Sequence, residues 1–125
     1  MERTDAVALA GAHLDRARRA LEAEDETAAV LWSNLCAEIA VAHVAAARGL
    51  DSPPDHFRRA TLAKRLFELG ALPEDLGDLM IRLNNERKHG VYEGRPPNLQ
   101  GRSWAQVFQA LERVVAAAAE GPSTS

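Results

Sequence analysis

Cys36 is the only cysteine in the chain, so no internal disulfide can form and no cysteine-based metal site can be built. It lies in an apolar stretch and reads as a small core residue. Aromatic residues make up only 5% of the sequence, against 46% hydrophobic residues overall. The core must therefore be mostly Leu, Val and Ala, which suits close helix packing better than a β-sandwich. No basic segment followed by an apolar run opens the chain, so no signal peptide is expected. No stretch reads as approaching the roughly 18 consecutive apolar residues of a membrane span. These absences together describe a soluble, cytoplasmic protein with no membrane association.

The charge is modest at −3, which argues against a general nucleic-acid coat protein. It is unevenly spread. Between Arg82 and Arg102 five basic residues stand against Glu86 and Glu93, a net +3 that leaves −6 for the rest. A local basic surface on an acidic chain suits a focused anionic ligand, although ordinary surface scatter produces the same pattern.

What is present is helical periodicity. Val7, Ala10, Leu14, Ala17 and Leu21 recur at spacings of three and four, with Thr4 as the expected N-cap. The pattern restarts near Asp25, with no Gly or Pro at the break. A second helix to about Arg48 is apolar nearly all round, the mark of a central bundle helix, and ends at Gly49, suited to a left-handed C-terminal cap. After Asp51-Ser52-Pro53-Pro54, a third helix carries Phe57, Leu62, Leu66 and Leu69 and stops near Gly70. Pro73 is expected to open a fourth, with Leu76, Leu79, Met80 and Leu83 inward, running to His89 or Gly90. A Gly/Pro loop follows. Ser103 and Gln106 form a capping-box pattern for a fifth helix, striped by Trp104, Val107, Phe108, Leu111, Val114 and Val115. The expected fold is all-α, an up-and-down bundle of four to five helices. Residues 1–120 form one domain and 121–125 a flexible tail.

The chemistry-bearing segment is Arg82 to Tyr92. At ~100° per residue, Asp78, Arg82, Asn85 and His89 fall on one flank of the fourth helix. Arg82 and His89 lie within roughly 20° of each other, since seven residues make nearly two turns. Arg87 falls on the core stripe, which fits either a cleft between helices or an ordinary helix-terminal cation. Arginine can bind phosphate oxygens and stabilise developing charge, and histidine can move protons near neutrality. In RNA the 2′-hydroxyl is an internal nucleophile, so such a pair needs no metal. The plain alternative is that a helix end gathers Arg, Lys and His because of its dipole. His13 and His43 sit in apolar patterns and read as satisfied packing residues, and His56 as solvated. The four histidines lack close ligand spacing, so neither a metal nor another cofactor is expected.

The order of these features resembles the HEPN family of small helical bundles. The phrase Val41-Ala42-His43-Val44-Ala45-Ala46-Ala47-Arg48-Gly49-Leu50 looks like that family's alanine-rich central helix and its ending. Arg82 and His89, with six intervening residues, resemble its ribonuclease signature. Arg87 and Tyr92 resemble the Arg-to-Tyr phrase of other branches, with Gly90-Val91 in place of Ala-Asp. Leu83 departs from the polar residue that often follows the arginine of the nuclease pattern. The resemblance spans roughly Asp25 to Val115. It implies either a metal-independent endoribonuclease, often a toxin paired with a nucleotidyltransferase-like antitoxin, or a non-catalytic relative that binds RNA or a nucleotide. It also implies a homodimer. The implied catalytic residues are Arg82 or Arg87 for phosphate and His89 for proton transfer. Asn85 would orient the site, and with Lys88 and Tyr92 would contact the nucleic acid. A helical protein-interaction module without chemistry is the alternative from a different class.

Overall fold

The computed structural model describes the backbone of residues 3–120 and the side chains of residues 5–90 and 94–120. The expected tail, 121–125, lies outside the described residues. Five helices follow in order: α1 (Arg3–Glu22), α2 (Glu26–Ala47), α3 (His56–Glu68), α4 (Gly77–Glu93) and α5 (Trp104–Glu120). The described residues contain no strand. The all-α bundle is as the periodicity requires.

α2 is the hub. It touches all four other helices, while α1 pairs with α5 and α3 with α4. Its alanines 29, 37, 40 and 45 are buried and let the neighbouring backbones approach. Cys36 is buried among them, and desolvation pushes its thiol up to about 12. With 22 residues and an 18-residue window of mean hydropathy 1.5, α2 is long and apolar enough to cross a membrane by length and composition. This departs from the expectation that no stretch approaches a span: Ser33, Asn34 and Glu38 interrupt the apolar run of α2, yet its mean hydropathy stays high. Burial against four helices accounts for that hydropathy as it does for any core helix.

The α1–α2 break is made without glycine. Glu24 takes φ 60°, and backbone bonds from Glu24 to Leu21 and from Asp25 to Ala20 close a Schellman ending. Asp25 then caps α2 by accepting from the Ala28 amide at 3.0 Å. A glutamate in the left-handed region costs more than glycine there, which is why the sequence marks this boundary so faintly. Thr4 lies inside the first turn of α1 and is not its cap.

Three expectations about the middle of the chain need correction. α4 begins at Gly77, not at Pro73, which stands in a bend. Asp75 accepts from the Gly77 amide at 2.8 Å, and a Cβ on Gly77 would sit 3.0 Å from the Ala60 carbonyl oxygen. The helix thus starts where α3 and α4 approach so closely that a Cβ would press on the Ala60 carbonyl. α4 also outruns His89 and Gly90, ending at Glu93 with Gly94 as its left-handed cap. In α3, Phe57 and Leu69 do not point into the core: they are 68% and 51% exposed. Ala60, Ala63 and Leu66 form the buried face of this helix, and Phe57 and Leu69 stay outside it. α5 starts as expected, with the reciprocal Ser103–Gln106 bonds at 2.9 and 3.1 Å.

Candidate nucleic-acid interface

The first turns of α4 anchor it. Leu76, Leu79, Met80 and Leu83 are buried, which fixes the rotation of the helix and therefore the direction of every later residue. Asp78, Asn85 and His89 are exposed and Arg82 is half-buried, so the flank read from the helical wheel faces outward. Lys88 is exposed beside it. Among the described residues no hydrogen bond or ion pair involves His89. Tyr92 lies in the last turn of α4, and its side chain falls outside the described residues.

The two arginines have different duties. Arg82 Nη1 lies 3.8 Å from Oε1 of Glu86, one turn on, and its Nε is buried without a partner among the described residues. Seven residues of rise separate it from His89 by about 10 Å along the axis. Arg87 is half-buried, and its Nη2 donates to Oδ1 of buried Asn84 at 2.9 Å. The structure therefore links neither arginine directly to His89. It links each to a polar residue that the sequence reading passed over.

Glu86 is the foremost of those. It is buried, and it receives Arg95 from the following loop at 3.0 and 3.2 Å as well as the approach of Arg82. A Cβ on Gly90 would stand 3.0 Å from its Oε2, so the glycine leaves room for the carboxylate. A charged residue on the core side at helical spacing from Leu79 and Leu83 was the available signal. Nothing in the sequence says which cation would reach it.

A second polar cluster faces α4 from α2 and α3. Glu38 receives Arg59 Nη1 at 2.6 Å on one oxygen and Asn34 Nδ2 at 3.1 Å on the other. His56 Nδ1 lies 2.7 Å from the same Oε1, though off the line of an aligned hydrogen bond. His56 is thus not simply solvated, as the sequence suggested. The N-terminal turn of α3 carries it back against α2. Beside it an open cleft of about 430 Å³ separates α3 from α4, with His56 and Phe57 on one wall and Asn84, Asn85 and Lys88 on the other.

The remaining histidines are packed. His13 is buried, stacks on Trp32 with ring centroids 5.2 Å apart, and contacts Arg16 through Nδ1 at 3.0 Å. Burial, then the Arg16 charge, lowers its pKa. His43 is half-buried, but its Nε2 has no partner among the described residues, so it is not the satisfied packing residue expected. No group of three or more His, Cys, Asp or Glu side chains among the described residues could hold a metal ion.

Comparison with known proteins adds one finding. No match is found among curated proteins or among solved structures. The family model of the HEPN domain, however, matches residues 6–120, nearly the whole chain and all of the bundle that forms the α4 surface and its cleft. The chain belongs to the HEPN family.

Proposed function

We propose that this HEPN protein is a cytoplasmic endoribonuclease that cleaves RNA without a metal, through the last turns of α4. Family membership supports a nucleotide- or RNA-related role in general terms. The observation that favours the finer reading is the exposed Lys88-His89 pair following Arg87, with His89 engaged by no other group among the described residues. An imidazole left unbonded beside Arg87 and Lys88 on α4 is available to a substrate proton. Arg87 gives Asn84 one of its donors, and the others remain for a phosphate oxygen.

In the proposed reaction His89 takes the proton of a 2′-hydroxyl. The 2′-oxygen attacks the adjacent phosphorus, the bond to the 5′-oxygen breaks, and that oxygen leaves with a proton from the second copy's protonated His89 or from water. The products are a 2′,3′-cyclic phosphate and a 5′-hydroxyl. Arg87 and Lys88 offset the charge that builds on the phosphate oxygens. Asn85 and Tyr92 extend the contact surface. Arg82, drawn toward Glu86, supports the helix end rather than the phosphate of its own copy. A homodimer is part of this reading, because the outward face of α2 offers Leu31, 37% exposed, with Leu35 one turn on, and two copies would supply two proton-transfer groups. The toxin form of the reading brings a nucleotidyltransferase-like antitoxin as partner.

A binding-only reading is favoured by one observation: Arg82, the first residue of the ribonuclease-like spacing, is turned to a carboxylate. Incubation of purified protein with mixed RNA in EDTA decides between the two. Cleavage by wild type that falls at least about 100-fold in His89→Ala, with the helical circular dichroism unchanged, is the expected result. A folded wild-type protein that leaves the RNA intact overturns the nuclease reading in favour of binding alone.

A further inference from the structure

We propose that the cleft between the first turn of α3 and the side of α4 is a subsite for one nucleotide unit. Phe57 stacks on its base, Lys88 contacts its phosphate, and His56 meets its polar groups through Nε2. The proposal deepens the RNA- or nucleotide-directed reading above and rests on it.

Four features carry the inference. The first is space: about 430 Å³ lies in the usual range for small-ligand sites. The second is Phe57. An aromatic ring 68% exposed in a chain with so few aromatics has no packing duty to explain its place, and it stands at the cleft. A flat apolar face beside polar groups is what base stacking uses. The third is the orientation of His56. Glu38 Oε1 stands 2.7 Å from Nδ1, off the line of an aligned hydrogen bond, so this edge of the ring is buried against the carboxylate. Nε2 is then the ring nitrogen left for a ligand. Glu38 is itself fixed by Arg59 and Asn34, which makes it a positioning residue for His56.

The fourth feature is the opposite wall. Lys88 supplies a positive charge there, and Asn84 and Asn85 supply amides. Because Asn84 Oδ1 is occupied by Arg87, its amide nitrogen is the part free to donate. The one carboxylate at the cleft, Asp55, has its Oδ1 committed to the Phe57 and Arg58 amides at 2.7 and 3.4 Å, where it caps α3. Lys88 adjoins His89 in sequence, so a strand with one nucleotide in the cleft passes toward the proposed reactive end of α4.

The test is a nuclear magnetic resonance titration of the full chain with adenosine 5′-monophosphate and, separately, with an RNA tetranucleotide carrying a 2′-deoxy sugar at every cleavable step. Saturable shifts at the His56 and Phe57 rings and the Asn84 and Asn85 amides are expected. Phe57→Ala, an exposed change that should leave the fold intact, weakens binding by about tenfold. Response to the monophosphate alone assigns the cleft to a free nucleotide, and response to the oligonucleotide alone assigns it to RNA. In Glu38→Gln, which removes the carboxylate charge beside Nδ1, the ring nitrogen shifts of His56 should move and nucleotide binding should weaken. If that protein fails to fold, the Phe57→Ala titration decides. Shifts confined to Arg87 and His89 overturn the subsite while the α4 reading stands, and no shift with either probe overturns both.

Discussion

Glu86 on α4 and Glu38 on α2 are both turned inward and held by cations, but they serve different ends. The Glu86 side chain is 2% exposed and joins two arginines, one on its own helix and one in the loop after it. It pins the 94–103 connection to α4. The Glu38 side chain is 13% exposed and joins an arginine, an amide and a histidine. The histidine lies on an open cleft. A carboxylate removed from water needs partners in either case, since desolvation outweighs a poorly matched pair. When all partners are arginines, always charged and donors only, the cluster is a clamp. With a histidine among them, the cluster also fixes a ring whose second nitrogen can serve a ligand.

Glu86→Ala should break this comparison most. It leaves Arg82 and Arg95 without their carboxylate and should cost roughly 3 kcal/mol, read as a lower urea midpoint with an unchanged slope. Glu38→Ala should cost less, about 1–2 kcal/mol, because its partners reach water more easily. Equal losses would mean the two clusters are the same kind of clamp. Arg95→Ala removes one arm of the tighter cluster from a partly exposed side chain, and about 1 kcal/mol is expected in the same urea measurement.

The smallest effect sharpens the contrast between histidines. His13 is buried against Trp32 and its pKa is lowered, by burial first and the Arg16 charge second. The unfolded chain therefore binds this proton more readily than the folded one. The stability that His13 contributes is full above the ordinary histidine value near 6.5 and is lost as pH falls below it toward the lowered folded value. Thermal unfolding between pH 7 and pH 5 should show this slope, and His13→Gln should flatten it. An unchanged slope would remove His13 as its source.

The helices could be read from the sequence because their signals are local. Periodicity placed α2 and α5, Gly49 ended the hub helix, and the Ser103–Gln106 box opened α5. Local signals failed where a boundary depends on another helix. Pro73 looked like a start, but α4 opens at Gly77, where Asp75 accepts from the Gly77 amide and the Ala60 carbonyl of α3 lies close. Phe57 looked like core because it is large and apolar, yet the buried face of α3 is Ala60, Ala63 and Leu66.

The same division runs through the candidate site. Sequence alone determined that Asp78, Arg82, Asn85 and His89 share a flank of α4, because the 3.6-residue turn fixes that geometry without any neighbour. It also determined the family resemblance, through the alanine-rich helix and the arginine and histidine that follow. Only the tertiary structure decided that Arg95 folds back to Glu86, that Arg59 reaches Glu38, and that His56 meets the same carboxylate across 18 residues. Those pairings depend on which helices stand side by side and how far a long side chain can reach. A helical wheel carries information on neither.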